Sequence, residues 1–501
     1  MQHDTRQIPT RGQWLALAAA LLGWLFDGAE MGMFSLVGRP ALRELLGETD
    51  ESRIGFWFGI VTAGFLVGAA TGGVLFGWLG DRLGRVRAMT LSVLVYALFT
   101  GACGLAQSAN QIAVLRFIAS LGMGGEWSLG VALVMELWPN RSRALLAGVI
   151  GAAGNVGYLL IGLIGLGLSG MIVDVAQWLA AAGLSETLVD RLTGNHGWRL
   201  LMLIGSAPAV LTFLIRLFVP ESQKWREQQD RGAASHWAVR DLAGVAIGAL
   251  AALSIVFLAA AADLPLALRI GGTIAGVVVA AAGFLYPVAR YIGRADDAHD
   301  AAGMSRRTTL LRMLLAAGLS GVALLGTWGS LQWAPTWADQ MTGSQMPSAK
   351  SWTQIWAALG AIVGTILAAL AGDWLGRRAA YCLLCVTSLV SILWLYQGHD
   401  AYGPGMLGAV FVAGLCTASF YGWLPLYLPE LFPTRVRGTG QGFGFNFGRI
   451  LAAIGTLQVG NLMGLFRGGY PQACSTMSAV YLLGLVLIVF APETRGQSLP
   501  E

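Results

Sequence analysis

The chain has 501 residues, of which 55% are hydrophobic and only 12% are charged. Soluble domains carry about 25% charged residues. Here the apolar residues fall in long uninterrupted runs, so the composition excludes a soluble enzyme or binding domain and indicates a protein that crosses a membrane many times. The formal net charge of +5 does not indicate a nucleic-acid partner, because most basic residues lie in short connecting segments.

The apolar runs predict fourteen membrane-spanning helices, arranged along the chain as six, two and six. Two segments are not predicted to span the membrane. Residues 171–196 are predicted as a long outer loop with a short surface helix, and residues 220–240 as a polar cytoplasmic linker. The predicted spans are 14–38, 54–79, 88–107, 110–135, 144–170, 197–219, 241–262, 266–291, 309–337, 351–372, 379–398, 404–428, 438–465 and 472–491.

The basic residues predict the orientation of these spans. The first apolar run has no cleavage site and is predicted as a retained span. Of the 32 Lys and Arg residues, 22 fall in segments that are cytoplasmic if the N-terminus is inside, and 7 fall in outer segments. Positive residues concentrate on the cytoplasmic side, so both termini are predicted in the cytoplasm and the chain in the cell inner membrane. The five cysteines lie in or beside apolar runs, and no metal or redox site is predicted from them.

A charged hexapeptide occurs twice, as GDRLGR at 80–85 and GDWLGR at 372–377. A second motif, ELxP, follows each copy. Glu136 opens ELWPNRSR and Glu430 opens ELFPTRVR, 55 and 57 residues after the aspartate of the preceding hexapeptide. The same order and nearly the same spacing indicate a duplicated six-helix unit whose halves are parallel repeats. The expected domains are a first bundle over 1–219, a linker with two extra spans over 220–308, and a second bundle over 309–501.

Both motifs fall on the predicted cytoplasmic side, where they suit a gate between the halves. Glycine allows a sharp reversal between helices, aspartate can accept hydrogen bonds at a helix N-terminus, and arginine can pair with carboxylates of the other half. Such contacts can form in one conformation and break in another. The simpler alternative is that the loops are basic connectors. The candidate gate residues are Gly77, Asp81, Arg82, Gly84, Arg85, Glu136, Arg143, Asp373, Gly376, Arg377, Glu430 and Arg437.

Ionisable side chains inside predicted spans are costly and are therefore functional candidates. Asp27 and Glu30 lie three residues apart on span one, where each is expected to raise the proton affinity of the other, so the pair is a candidate proton-coupling site. The alternative is a permanent ion pair with an arginine that serves folding. All five histidines lie in loops or at the N-terminal tail, so a carboxyl group is the expected proton carrier.

Two arginines also lie inside predicted spans, Arg116 in span four and Arg449 in span eleven. A buried guanidinium needs an anion, and the partner could be Asp27, Glu30, Glu126 or the carboxylate of a substrate. Glu126 lies about 15 Å along span four from Arg116, so those two cannot pair. A static bridge between helices is the alternative for Arg449.

Polar and aromatic side chains in the spans are candidates to line a substrate cavity, because such cavities are apolar with a few fixed polar groups. For each of them, packing at a helix interface is the alternative. The substrate-binding candidates are Arg449, Asn446, Asn155, Tyr158, Trp328, Gln332, Tyr421 and Glu126.

These motifs resemble the major facilitator superfamily over nearly the whole chain. GWLGDRLGRVR at 77–87 is similar to the loop signature of that family between helices two and three. ALAGDWLGRR at 369–378 departs from it at Ala369 and Trp374, which implies a weaker second gate. The ELxP motifs match the cytoplasmic Glu-six-Arg pairs of the family, and PESQKW and PETRGQSLPE resemble the ends of the two halves in sugar and metabolite porters.

Within the superfamily, DGAEMGMF at 27–34 and GMGGEWSLG at 122–130 resemble the aromatic-acid and sialate:proton symporter branches. Span seven lacks the QQ-x-x-G-x-N pattern of sugar porters. The resemblance implies that Arg116 matches an arginine linked to proton coupling. It also implies an all-α fold of two six-helix bundles related by a pseudo-two-fold axis, with two extra middle helices.

The expected function is secondary active transport of a small organic anion, such as a sialate-like sugar acid, an aromatic acid or a monocarboxylate, by proton symport and alternating access. The alternatives are a porter of neutral sugars or polyols, an exporter of drugs or metabolites and, more remotely, a ligand sensor that does not transport. The sequence has no phosphate-binding loop motif, so neither an enzyme nor an ATP-driven pump is expected. The expected partners are a small-molecule substrate and the lipid bilayer. The proton is the coupling ion with no other cofactor, and the protein is expected to be a monomer.

Overall fold

The computed structural model describes residues 10–47, 51–138, 142–208, 210, 215, 218–232, 236–261, 264–297, 305–343, 346, 348–465 and 469–500. These residues form helices joined by short turns, and no strand occurs among them. In chain order the α-helices are α1 (Arg11–Leu46), α2 (Glu51–Leu83), α3 (Arg85–Cys103), α4 (Ala109–Leu137), α5 (Arg143–Ala181), α6 (Glu186–Ile204), α7 (Gln223–Asp230), α8 (Leu242–Ala260), α9 (Leu266–Asp297), α10 (Arg306–Gly329), α11 (Ala334–Met341), α12 (Ala349–Leu375), α13 (Arg377–Gln397), α14 (Pro404–Thr417), α15 (Phe420–Tyr427), α16 (Arg437–Asn446), α17 (Gly448–Leu465), α18 (Tyr470–Ser478) and α19 (Val480–Leu487).

Twelve helical stretches of the described chain are long and apolar enough to cross a membrane, and each corresponds to one predicted span. Of the other two predicted spans, 197–219 begins within α6 and continues into residues outside the described part. The span predicted at 438–465 is divided into α16 and α17 at Phe447. The predicted all-α polytopic fold is therefore confirmed.

The prediction of a long outer loop over 171–196 is wrong. Helix α5 continues without a break to Ala181 and α6 begins at Glu186, so the turn takes only residues 182–185. Gly183, at φ +89°, reverses the chain there. The helical period in this segment is real, but its residues belong to the ends of two long helices, because neither Gly nor Pro interrupts 171–181.

The predicted linker over 220–240 contains the short helix α7, which is docked onto the bundle. Ser222 caps this helix by accepting a hydrogen bond from the backbone N–H of Trp225. The indole N–H of Trp225 is buried and donates to the carbonyl oxygen of Asp81 at 2.9 Å. The first part of the linker is therefore a packed element, while residues 233–235 lie outside the described chain.

The two bundles use glycine at matching positions to bring helices together. A Cβ at Gly72 of α2 would lie 1.9 Å from the carbonyl oxygen of Leu121 in α4, and a Cβ at Gly364 of α12 would lie 2.0 Å from that of Leu415 in α14. Small residues permit such backbone contact in membrane bundles. The duplicated motifs thus belong to a duplicated packing pattern.

The halves meet along two seams. Helix α5 of the first half packs against α12 and α15, and α2 packs against α16 and α17. The middle helices α8 and α9 form a hairpin that packs against α2, α10 and α17, outside the second seam. The Phe284 ring of α9 lies edge-on to Phe447, with centroids 6.3 Å apart. The hairpin therefore covers a boundary between the halves at the point where α16 and α17 separate.

Candidate functional site

A cavity of about 130 Å³ lies between the two halves, enclosed by α1 and α5 on one side and by α10, α12, α15, α16 and α17 on the other. Its walls are mainly apolar and aromatic. Asp27 and Arg449 are the charged residues among the described lining. Six of the eight predicted binding residues line it: Asn155, Tyr158, Trp328, Gln332, Tyr421 and Arg449.

Close packing of α1 on α5 positions Asp27. A Cβ at Gly28 would lie 1.7 Å from the carbonyl oxygen of Gly154, and a Cβ at Gly157 would lie 1.8 Å from that of Leu25. No larger side chain fits at either glycine, so the two backbones touch. This contact turns the neighbouring Asp27 toward the cavity.

A break between two helices positions Arg449. Helix α16 ends at Asn446, and Arg449 lies in the first turn of α17. The guanidinium lies 5.6 Å from the ring centroid of Phe445, and its opposite charge across the cavity is Asp27. The Nη1 atom is buried and has no hydrogen-bond partner among the described residues. Arg449 therefore offers a free donor at the cavity wall.

The structure separates the two acidic residues that the sequence groups together. Glu30 forms a buried ion pair with Arg116 of α4, with 2.5 Å between Oε1 and Nη1. Asp27 lines the cavity, with the carboxyl group of Glu126 within hydrogen-bonding reach. For Glu30 the structure shows the alternative, an ion pair with an arginine, so α4 offers each carboxyl group a different partner.

Two of the predicted binding residues do not line the cavity. Asn446 turns its amide toward α4 and donates to the carbonyl oxygen of Gly124 at 2.9 Å. Glu126 lies behind Asp27, in space left free by Gly23, where a Cβ would lie 1.5 Å from Glu126 Oε1. Both side chains are buried. Neither is placed to touch a substrate in the cavity directly.

The duplicated charged loops meet at one end of the bundle, termed the gate end. Buried Asp81 accepts hydrogen bonds from the backbone N–H groups of Gly438 (3.0 Å) and Thr439 (2.8 Å) and from the Thr439 hydroxyl (2.6 Å). These N–H groups begin α16, where they lack helical partners and carry the positive end of the helix dipole. Gly77 permits the approach, because a Cβ there would lie 2.6 Å from the Gly438 carbonyl oxygen.

Arg85 joins the contacts of the gate end. It forms ion pairs with Asp81 and, at 3.4 Å, with Glu136 of its own half, and it donates across the halves to the carbonyl oxygen of Thr434 at 2.7 Å. Arg82 is half-buried, with its guanidinium 5.1 Å from the Trp78 ring. Arg85 therefore connects the first hexapeptide, the first ELxP motif and the second half.

The glutamates and arginines of the ELxP motifs face each other across the halves. Arg437 donates to Glu136 at 2.8 Å, and both side chains are fully buried. Arg143 faces Glu430, which is its principal opposite charge. Each glutamate thus faces the arginine of the other copy, and an opening movement must break the direct contact between Arg437 and Glu136.

The second copy of the loop is built differently. Glycine provides the positive φ in both hexapeptides, +111° at Gly84 and +94° at Gly376. Arg377 forms a buried ion pair with Glu430 at 2.6 Å, but the Asp373 side chain is 59% exposed and lies 3.4 Å from Arg377. Within the described part of the chain, Asp373 therefore has none of the cross-half hydrogen bonds of its counterpart in the first half.

The sequence did not assign a role to four residues that complete the gate end. Glu221 accepts hydrogen bonds from the first two backbone N–H groups of α3, at 2.9 and 3.1 Å, and Glu493 from the first two of α13, at 3.0 and 3.1 Å. The next residues, Ser222 and Thr494, each donate to the ELxP glutamate of the same half. Burial alone would raise the pKa of Glu493, but these N–H groups hold it below its usual value. The sequence signal that could have indicated these roles is the repetition of the PES and PET motifs.

A comparison with known proteins shows which family has this architecture. The profile described as "Sugar (and other) transporter" matches residues 15–256 and 325–496. The chain belongs to this family. It is a transporter and not an enzyme, and the predicted membership of the major facilitator superfamily is confirmed.

The transporter is similar to curated proteins over almost its whole length. It is 24% identical to a putative metabolite transport protein of Haemophilus influenzae, covering 97% of this chain and 98% of that one. It is 26% identical to a cis,cis-muconate transport protein of Acinetobacter baylyi, over 96% and 95%. A sialic acid transporter of Escherichia coli is 23% identical, over 86% and 83%.

Among solved structures, the proton:xylose symporter XylE superposes on this transporter with a TM-score of 0.67 at 18% identity, covering 97% of this chain and 98% of that one. At this identity the likeness concerns the fold alone. It is the fold of two six-helix bundles that the duplicated motifs predict.

Proposed function

We propose that this transporter moves a small organic anion together with a proton, importing it by alternating access. The supporting observation is the cavity, where the Nη1 of Arg449 is a buried donor in an apolar, aromatic wall and finds no hydrogen-bond partner in the described part of the chain. A buried guanidinium needs an anion, and a planar carboxylate fits its donor fork. A neutral sugar has no carboxylate to fit this donor fork, which disfavours the alternative of a neutral sugar porter.

The size of the cavity favours a compact acid. A cavity needs about 10–15 Å³ of volume to hold one water molecule. A cavity of about 130 Å³ therefore fits a molecule of roughly ten non-hydrogen atoms. Muconate, named for one relative, has this size, whereas sialic acid is about twice as large. The rings of Trp24, Tyr158, Trp328 and Tyr421 suit a flat unsaturated or aromatic acid.

The remaining parts of the proposal concern coupling and orientation. The cavity carboxyl group is Asp27, which is therefore proposed to carry the proton, with Glu30 and Arg116 beside it. No cofactor other than the proton is proposed, and the protein is proposed to act as a monomer. The gate end is proposed to face the cytoplasm of a cell whose inner membrane holds the transporter, with both termini on that side, because the basic residues concentrate there.

A transport assay in liposomes tests the proposal. Cis,cis-muconate, benzoate, N-acetylneuraminate and xylose are added singly outside, and the external pH is followed in weakly buffered medium. We expect at least one acid to drive proton uptake that alkalinises the medium. Arg449→Gln should raise the half-saturating acid concentration about 10- to 100-fold, since hydrogen bonds to charged groups contribute about 1.5–3 kcal/mol. Arg449→Lys should lose less.

Glu186→Gln, at an exposed position of α6, is the matched control and should behave as the wild type. Acid uptake without any proton movement would overturn the proposed coupling. Uptake of xylose but of none of the acids would overturn the choice of an anion.

A further inference from the structure

We infer that Asp27 and Glu126 act as one carboxyl pair, which holds a resident proton while the cavity is empty and takes up a second proton when an anion binds Arg449. The inference of a second proton depends on the proposed function. The inference of a resident proton depends only on the geometry of the site without substrate.

The contact between the two carboxyl groups requires the resident proton. The carboxyl groups of Asp27 and Glu126 lie within hydrogen-bonding reach of each other, and two ionised carboxylates have no donor between them. Their side chains are only 6% and 2% exposed, so two negative charges side by side would be poorly solvated. Among the described residues, Asp27 Oδ1 and Glu126 Oε2 are buried without hydrogen-bond partners, which leaves an acceptor for a second proton.

The position of Glu126 is built by the helices around it. The side chain occupies the space that Gly23 leaves on α1. The hydroxyl of Tyr96 on α3 is buried near the pair, and no described residue is its hydrogen-bond partner. A carboxylic acid in such a place is favoured in its neutral form, because an uncompensated charge is not solvated there.

One cation balances the pair. On α1 and α4 the nearest charges, Glu30 and Arg116, are already paired with each other. Arg449 of α17 is the cation that acts on Asp27. Helix α5 contributes Tyr158 to the same cavity, and the charged residues of α2, α5 and α16 lie nearer the ends of those helices.

Charge balance then links the second proton to the anion. In the empty cavity the pair with one proton carries a single negative charge, which Arg449 neutralises. A bound monoanion occupies the donors of Arg449 and adds a negative charge. One proton from water on the open side converts the remaining carboxylate to a carboxyl group, so that the sum returns to zero, and release reverses both steps. Charges left unbalanced in a buried site are costly, so the anion and the proton bind together.

Infrared spectroscopy of the substrate-free protein in liposomes tests the resident proton. At neutral pH the wild type should show the carbonyl stretch of a protonated carboxyl group, with a shift in D₂O. E126Q and D27N should each lose this band, because the new amide donates the hydrogen bond and one carboxylate remains to balance Arg449. E126D, which keeps the carboxyl group, should retain it, and the exposed Glu186→Gln control should match the wild type. A band of equal intensity in the wild type, E126Q and D27N would overturn the resident proton.

The second proton is tested by transport with benzoate, which is a monoanion at neutral pH, and with N-acetylneuraminate, also a monoanion, if benzoate is not taken up. Each single variant should keep reduced but measurable proton uptake, while the double variant D27N/E126Q should lose it and still exchange labelled acid across the membrane. Complete loss in a single variant that still exchanges the acid would overturn the shared pair. Wild-type acid uptake without proton movement would instead refute the proposed function and leave the infrared result standing.

Discussion

At the residue scale, the ion pair between Glu30 and Arg116 buries two charges inside the helical bundle. The guanidinium lies between two phenyl rings, 4.4 Å from the centroids of Phe34 and Phe65, and the rings attract it. Removal of one partner from a buried ion pair costs about 3–5 kcal/mol, because the remaining charge has no counter-ion, whereas removal of both charges is often nearly neutral.

We therefore expect E30Q and R116Q each to destabilise the folded protein by about 3–5 kcal/mol, and the double variant E30Q/R116Q to recover most of that loss. The midpoint of thermal unfolding, followed by tryptophan fluorescence, measures the three changes. A double variant as unstable as the sum of the two single variants would contradict a direct pair. Proton-coupled uptake in the double variant then decides whether the pair serves folding or belongs to the proton path that the sequence suggests.

The sequence identifies these embedded charges but not their partners. Asp27, Glu30, Arg116 and Arg449 stand out because an ionisable side chain interrupts an apolar run. Their pairing depends on the antiparallel packing of α1 against α4, which brings Glu126 alongside Asp27 and Arg116 alongside Glu30. Spacing along one helix contains no such information, so it could not show that the two acids of α1 have different partners on α4.

At the element scale, the segments that end each half cap helices at the gate end. Glu221 precedes α7 and caps α3, while Glu493 follows α19 and caps α13. The chain then returns over the gate end, where the buried side chain of Leu499 and the carbonyl oxygen of Pro500, which accepts from Arg437 at 2.6 Å, fix its course. A glutamate that follows each half therefore caps a helix of that half in the same way. In the second half, this cap also fixes the C-terminal tail.

Glu493→Gln should loosen the tail. Loss of a charged cap costs about 0.5–2 kcal/mol, so amide hydrogen exchange in residues 493–500 should become about twofold to tenfold faster. Because the pKa of Glu493 is lowered in the folded state, its contribution is present above its unfolded pKa and is lost as the pH falls through the folded one. Acid should therefore mimic the variant once exchange is corrected for its intrinsic pH dependence. Glu221→Gln, which caps α3, should leave the tail unchanged, and equal loosening by both variants would refute a local cap.

Hydropathy predicts most of these elements, and its errors have physical reasons. Long apolar runs must be helical in a bilayer, since each backbone group needs a partner within its own segment. The extension of α5 to Ala181 was missed because its outer part mixes polar with apolar residues. The break at Phe447 was missed because no proline marks it. It coincides with the contact of Gly448 with Gly321 of α10, where a Cβ at Gly448 would lie 2.8 Å from the backbone nitrogen of Gly321.

At the scale of the whole molecule, the two halves are equivalent in backbone packing but unequal in charge. Asp81 is buried and binds the start of α16 in the other half, while Asp373 is largely exposed. In the sequence, the second loop departs from the loop signature of the family, and this departure agrees with the difference. Opening of the gate end must therefore break the contacts of Asp81 first of all, and the hairpin of α8 and α9 lies against the helices, α2 and α17, that would separate.

This inequality predicts different effects for the same substitution in the two copies. Asp81→Asn weakens three cross-half hydrogen bonds to a charged acceptor, each of which contributes about 1.5–3 kcal/mol, so the ratio of open to closed gate ends should rise tenfold or more. Asp373→Asn removes a surface pair that contributes about 0–1 kcal/mol and should change the ratio only a few-fold at most. Spin labels at Leu83 and Leu375, exposed equivalents in the two loops, report the distance between the halves in a background without native cysteines. We expect a longer distance between the labels in D81N but not in D373N. Equal lengthening in both variants would show that the two loops hold the gate end equally, which would contradict the unequal contacts of Asp81 and Asp373.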